Sequence, residues 1–361
     1  GALGRLDRVA AISGSGQQHG SVWMKKGARE MLRKIHPGRP ACSLPQVGRA
    51  GRPLRDQLAG LFAVADSPVW MDSSTAQQCR EREAALGGAQ AVATLTGSRA
   101  YERFTGNQIA KIYQTNRAGY EATERIALVS SFMASLLVGD YVPSDTSDGS
   151  GMNLMDIRSK TWSPAALDCT APGLGDKLGD LVPAHTMAGT IHGYFAAEYG
   201  FRKDCLVIVF SGDNPCSLAG LRIQHAGDIA ISLGTSDTVF GSLTDPAPSA
   251  VEGHIFANPV DPDACMAMVC YKNGSLTRER VRDTAAGGSW DMFNAWLRKT
   301  AAGNEGNVGF YIQEPEITPP ILKTGITRFN GRGTKVESFS PEADVRAVVE
   351  GSGPLVVMVH G

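Results

Sequence analysis

The chain has 361 residues, 35 Lys plus Arg against 36 Asp plus Glu, and a formal net charge of -1. That length points to two domains, and so balanced a charge creates no field to gather a polyanion, so nucleic acid is not an expected partner. With 42% hydrophobic and 20% charged residues, the composition is that of a globular chain able to bury a core, which excludes a disordered or collagen-like protein. The seven cysteines, at 42, 79, 169, 205, 216, 265 and 270, are odd in number and lack a C-x-x-C pair. They fit neither a disulfide framework nor a thiolate zinc site and read as the reduced cysteines of a cytoplasmic protein. The longest apolar runs, 205–210 and 354–359, fall far short of the roughly 20 residues of a membrane span, so no membrane association is expected. The chain opens on Gly1 with no apolar signal core in residues 1–6, and reads as beginning within a longer protein.

In chain order, RVAAIS at 8–13 predicts a buried strand emptying into a Gly14-Ser15-Gly16 turn, with His19 just beyond. Residues 25–55 are basic, carry four prolines and a single acid, Glu30, and read as a solvated insertion; an RNA-binding arm is the sharper alternative, but aromatics for base stacking are missing. Helices are expected over 75–86, more weakly over 91–95 after the Gly87-Gly88 break, over 105–113 with Asn107 as a cap, and over 124–137. In the last of these Ile126, Val129, Phe132, Met133, Leu136 and Leu137 recur three or four apart. Residues 142–151, rich in Ser, Asp and Gly, are either a surface turn or a site wall, composition leaning towards the turn. A boundary falls near 181–185, CLVIVF at 205–210 predicts a strand buried on both faces, and 228–240 predicts a β-hairpin around Gly234. The alternation of strands and helices gives an α/β fold in two halves.

The local pattern with most chemical content is VIVFSGDNPCSLAG at 207–220: strand, Gly212 turn, then Asn214 as N-cap and Pro215 as first helical residue. Ligands of α/β proteins gather at the carboxyl ends of strands, so Asp213 is either a general base acting on a hydroxyl or a turn aspartate supporting the cap. In SLGTSDT at 232–238, exposed amides beside Gly234 suit phosphate oxygens, although the P-loop pattern is absent, a bland hairpin has the same form, and Asp237 opposes an anion. GSGQQHG at 14–20 offers amide and imidazole groups to a polyhydroxylated ligand, or is a capped turn; His19 has no partner at metal-ligand spacing. Arg99 and Arg103 are four apart, on one face if helical, and read by spacing as surface ion-pair residues or as ligand contacts.

Taken in order, ISGSGQQHGSV, PVWMDSST, GSRAYERFTGNQIAKIYQ, SDGSGMNL, FSGDNPCSLAG, DIAISLGTSDT, EGHIFANPVD and KNGSLTRERVRD resemble the FGGY family of carbohydrate kinases, in the branch that acts on D-xylulose. The resemblance runs from about residue 6 to about residue 351, apart from the 25–55 insertion. It implies an actin-like ATPase fold of two RNase H-like domains around a cleft, residues 1–187 forming the N-terminal and 188–361 the C-terminal FGGY domain. It also implies ATP with Mg2+ as the phosphoryl donor and D-xylulose as the acceptor at its 5-hydroxyl. By the same resemblance His19, Arg103, Asp213 and Asn214 hold the sugar, Asp213 is the catalytic base, Gly234 and Thr235 form the second phosphate loop, and Trp290 contacts the nucleotide. The family's opening D-x-[GS]-[TS] turn and its later G-G-[AG]-[ST] loop have no counterpart here, so the chain reads as truncated at both ends. The other readings are a different pentulose kinase, or a non-catalytic sugar-binding remnant. A small sugar and ATP are the expected partners, a homodimer is compatible with the family, and the compartment is the cytoplasm, or a plastid if a transit peptide precedes Gly1.

Overall fold

The computed structural model describes residues 5–37, 53–223, 225–234, 236–316 and 321–351. Residues 38–52 of the basic stretch, with Cys42, and Thr235 of the expected phosphate loop lie outside the described residues. Two compact units emerge. The first comprises 1–224, 243–250 and 255–266, and the second 225–242, 251–254 and 267–361. This division differs from the expected 187/188 line because strand Leu206–Ile208 pairs in parallel with Ala11–Ile12 and antiparallel with Met187–Thr190, which ties the segment after 188 into the first unit. Among the described residues no helix is long and apolar enough to cross a membrane, and the six described cysteines are all free.

The first unit is organised around a two-stranded ribbon, Ser21–Lys25 antiparallel to Thr123–Leu128. Successive side chains of a strand point to opposite faces. Met24 and Ala127 therefore enter one core, with Leu32, Ala134, Val207 and Phe210, whereas Trp23, Ile126 and Leu128 enter another, with Ile109, Tyr120, Met152 and Leu154. Each large side chain buried this fully contributes on the order of 2 kcal/mol. The expected helix over 124–137 is corrected here: 123–128 is strand and the helix is Val129–Val138, ended by Gly139 at φ 76°. Ile126 fits the helical spacing by coincidence, because pairing with Trp23 claims it for the ribbon.

Helices Ala76–Ala85 and Ala89–Thr96 form as expected, separated by Gly87 and Gly88 at positive φ. Helix Thr105–Thr115 also forms, but Asn107 is inside it and not its cap. Its amide accepts from Arg82 Nε at 2.8 Å and donates to the Tyr101 carbonyl. Arg82 is buried and forms no ion pair among the described residues; its guanidinium donates to Asn107 Oδ1, the Asn153 carbonyl and Thr170 Oγ1, and burial lowers its pKa. Residues 97–104 are not helical, so Arg99 and Arg103 do not share a helix face; Arg99 forms the ion pair read from its spacing, with Glu83 at 3.0 Å. The strand expected over 205–210 is shorter, Leu206–Ile208, and is not buried on both faces: Val207 is inaccessible while Leu206 is 37% exposed. The strand expected over 8–13 is reduced to Ala11–Ile12, with Ala11 exposed and Ile12 half-buried.

In the second unit Ile229–Leu233 and Asp237–Leu243 form the expected hairpin, in register from Ile229↔Gly241 to Leu233↔Asp237. Helices Ser275–Ala285, Trp290–Lys299 and Pro341–Glu350 pack with strand Val308–Ile312 around Val281, Phe293, Tyr311, Val345 and Val348.

Two consecutive parallel rungs place the chemistry. Beyond the Ala11–Ile12 pairing, Ser15–Gly16 pairs in parallel with Ser211–Gly212. A Cβ on Gly16 would fall 2.4 Å from the Ser130 backbone nitrogen, so this rung accepts no side chain on that side. Gly16→Ala should therefore cost about 2–3 kcal/mol in urea unfolding. Gly220→Ala, at the end of helix Asp213–Gly220 with nothing near the new methyl, should be neutral or stabilising by up to about 1 kcal/mol. Equal costs at the two glycines would show that the rung is not tightly packed.

Candidate functional site

The parallel rung delivers two sequence motifs to one place. Gln18 and Asp213, 195 residues apart, meet through the Gln18 backbone N–H, which donates to Asp213 Oδ1 at 3.0 Å. Asp213 is the exposed first residue of helix Asp213–Gly220, and its Oδ2 accepts no hydrogen bond among the described residues. Gly212 is the N-cap residue, with no capping side chain, so the expected Asn214 cap is corrected: Asn214 lies within the first turn, and its Nδ2 donates to Gln18 Oε1 at 2.9 Å. Pro215 follows it in the first turn, where a missing N–H is harmless.

His19 adopts φ 72°, a left-handed conformation unusual for a residue other than glycine. Its ring is buried at 4% exposure, and Nδ1 lies 3.0 Å from the Gly151 carbonyl oxygen. Burial, then the positive charge of Arg103, push its pKa down to about 3. A neutral imidazole whose Nδ1–H donates to a carbonyl presents Nε2 as an acceptor, the form that receives a hydroxyl hydrogen. Phe104 packs against the ring with centroids 4.8 Å apart, and Thr105 Oγ1 donates to the His19 carbonyl. The half-buried Arg103 guanidinium lies over the Tyr101 and Phe104 rings at 5.5 and 5.6 Å.

Of the two readings of residues 142–151, the surface turn that composition slightly favours gives way to the other, a largely buried wall of this site. Asp145 caps the short helix Thr146–Ser150 by accepting from the Ser147 and Asp148 backbone N–H groups, and it receives the Ser211 hydroxyl at 2.8 Å. Ser147 Oγ donates to the Ala257 carbonyl, and Ser150 Oγ accepts from the Ala257 N–H at 3.1 Å. The hydroxyls that suggest solvent are thus consumed by backbone groups. Asp148 is 2% exposed and takes the Ser130 hydroxyl on Oδ2 at 2.5 Å, but its Oδ1, like Gln18 Nε2, is buried without a hydrogen-bond partner among the described residues. Burial pushes both carboxyls above the usual range, Asp148 further because Asp145 and Asp213 stand close. Neither Asp145, Asp148 nor Gln18 is singled out by sequence; the signal available is the amide pair in GSGQQHG and the two acids in SDTSDGSG.

The remaining expected residues belong to the second unit. Gly234 begins the hairpin turn; its carbonyl accepts from the Ser275 N–H at 2.8 Å and from Arg278 Nη2. Asp237, fully buried, is held in a bidentate pair by Arg278 at 2.6 and 2.9 Å. Its charge is therefore matched, which removes the objection it raises to an anion at the turn. Trp290 opens helix Trp290–Lys299 and is 44% exposed, with the Arg282 guanidinium 4.8 Å from its ring centroid and Phe293 edge-on at 5.2 Å. Among the described residues no three His, Cys, Asp or Glu side chains converge to hold a metal ion.

His19 makes folding pH-dependent with a definite sign. The unfolded chain takes up a proton on this imidazole near pH 6.5 and the folded chain only near 3. Its contribution is therefore complete above about pH 6.5 and lost progressively as pH falls. His19→Asn, which tolerates the left-handed backbone, should be less stable than wild type at pH 7.5, with the gap in urea midpoint narrowing by pH 4.5. A gap that does not change with pH would refute the buried neutral imidazole.

Residues 64–220 match the profile described as FGGY family of carbohydrate kinases, N-terminal domain. Over 346 residues the chain is 54% identical to a xylulose kinase of Mus musculus, covering 96% of this chain and 60% of that protein. Over 355 residues it is 52% identical to xylulose kinase 2 of Arabidopsis thaliana, covering 95% and 61%. The crystal structure of a xylulose kinase from Rhodospirillum rubrum superposes with a TM-score of 0.73 at 16% identity, covering 95% of this chain and 62% of that one. The chain thus spans about three fifths of the length of these proteins.

Proposed function

The chain belongs to the FGGY family of carbohydrate kinases, and from that premise we propose that it carries the sugar site of an ATP-dependent kinase for D-xylulose, with Asp213 as the base. The observation that carries this reading is the Gln18 N–H on Asp213 Oδ1, which fixes one carboxylate oxygen at 3.0 Å and leaves the other open on an exposed helix start. A carboxylate so held can accept a hydroxyl proton without first having to be oriented. In the reaction Asp213 takes the proton of the 5-hydroxyl while that oxygen forms a bond to the terminal phosphorus of ATP. The bond from that phosphorus to its bridging oxygen breaks, and ADP leaves with the electron pair. Phosphoryl transfer of this kind is chiefly positioning and charge stabilisation.

Neutral His19 accepts a sugar hydroxyl at Nε2, the Asn214 amide and Arg103 guanidinium supply further polar contacts, and Phe104 backs the imidazole. Gly234, Thr235 and Trp290 serve the nucleotide in this reading, an exposed indole and a turn whose acid is already paired being suited to adenosine and phosphate. Mg2+ bound with ATP would neutralise charge on its phosphates; among the described residues no three His, Cys, Asp or Glu side chains converge to hold it without the nucleotide.

Asp213→Asn should lower kcat for D-xylulose by about 10²–10⁴-fold while the dissociation constant for D-xylulose, measured by isothermal titration, changes less than about threefold. Unchanged turnover would overturn the base assignment. Binding of ribulose or glycerol in place of D-xylulose by the wild-type chain would overturn the substrate.

A further inference from the structure

Two buried polar atoms beside this site are unmet, and they complement each other. Gln18 and Asp148 are each 2% exposed, and Gln18 Nε2, a donor, and Asp148 Oδ1, an acceptor, both lack a hydrogen-bond partner among the described residues. They lie against the same glycine: a Cβ on Gly212 would fall 2.5 Å from Gln18 Cγ and 2.7 Å from Asp148 Oδ1. The Gln18 amide also lowers the otherwise raised pKa of Asp148, so the two groups interact. Unmet groups this deeply buried are rare in native folds and each costs about 1–3 kcal/mol, so a donor and an acceptor facing one surface have strong reason to close on each other.

Resting on the reading of Asp213 and Asn214 as sugar-side groups, we propose that Gln18 is a positioning residue whose amide is oriented by Asp148. An amide is nearly symmetric in shape but not in chemistry. With Nε2 turned to Asp148 Oδ1, the oxygen Oε1 is turned to Asn214 Nδ2, as the 2.9 Å bond shows. Flipped, Gln18 would set donor against donor, releasing Asn214. Asp148 thereby fixes which face Asn214 offers to a sugar hydroxyl, while the Gln18 backbone holds Asp213. The groups that face this pair and also titrate or carry charge are Asp145, Asp213 and Cys216 around Asp148, and His19 with Arg103 behind it on the Gln18 side.

The test exchanges the two chemistries. Gln18→Glu keeps an oxygen for Asn214 but removes the donor to Asp148, so the pair holds only while a proton is shared. D-xylulose affinity by isothermal titration should be weaker than wild type by about tenfold at pH 8 and recover towards it at pH 6. Adding Asp148→Asn returns a donor from the other side. The double variant should bind within about threefold of wild type at pH 8, with the pH dependence gone once the wild-type profile is subtracted. A Gln18→Glu chain that binds as wild type at pH 8, or a double variant no better than Gln18→Glu, overturns the proposal. If Gln18→Glu fails to fold at pH 8, recovery of the fold in the double variant, followed by circular dichroism, supports the pairing, and its absence refutes it. A wild-type chain that binds no D-xylulose overturns the sugar reading instead; the same rescue, read as urea midpoints, then decides the pairing independently.

Discussion

The rung that joins Ser15–Gly16 to Ser211–Gly212 in parallel governs the rest of the first unit. Both of its glycines are crowded: the Ser130 backbone occupies the space beside Gly16, and Gln18 with Asp148 occupies the space beside Gly212. Main chain packed this closely leaves little room to slide, so the residues just past the rung inherit its precision. Gln18 meets Asp213 and Asn214 because each follows its glycine by one or two positions. A base and its neighbours brought together across 195 residues of sequence need such a rigid junction, because errors of about 1 Å are costly in catalysis.

Burial around that junction sets up opposed electrostatic demands. His19 is kept neutral, and its contribution to folding wanes in acid. Asp145 and Asp148 have carboxyls raised by burial, so the folded chain retains protons that the unfolded chain releases above about pH 4. Their contribution is present at low pH and lost as pH rises towards neutrality. The first unit therefore keeps buried acids whose charge it opposes at neutral pH, a pattern that clusters at functional sites. Arg82 shows the other solution to buried charge, its guanidinium donating to the neutral oxygens of Asn107, Asn153 and Thr170.

Local signals suffice where local forces decide. The Gly87-Gly88 break, the hairpin around Gly234 and the strand-turn-helix at 206–220 follow from backbone freedom and periodicity, and they formed. Failures came where a distant partner decides. Ile126 obeys a helical period, yet its pairing with Trp23 makes it strand. Asn107 has the chemistry of a cap, yet Arg82 recruits it to the interior. The acids of SDTSDGSG look solvated because composition cannot show that their hydroxyl neighbours are spent on Ala257 and on backbone turns. In the candidate site, Asp213 and His19 stand out by type and position and Asn214 only as a cap, its site role coming from the resemblance, whereas Gln18 and Asp148 become visible only through what they touch.

The ribbon formed by Ser21–Lys25 and Thr123–Leu128 is a wall shared by two cores, with Trp23 on one side and Met24 on the other. Inserting or deleting one residue within either strand would turn both faces over together, sending an indole into space shaped for a thioether and the reverse. Length variation in this part of the chain is thus confined to the stretches outside the ribbon that do not themselves, like Ala28 and Leu32, enter the core. The site inherits the same protection: His19, two residues before Ser21, sits at a fixed offset from a wall that permits no change of register.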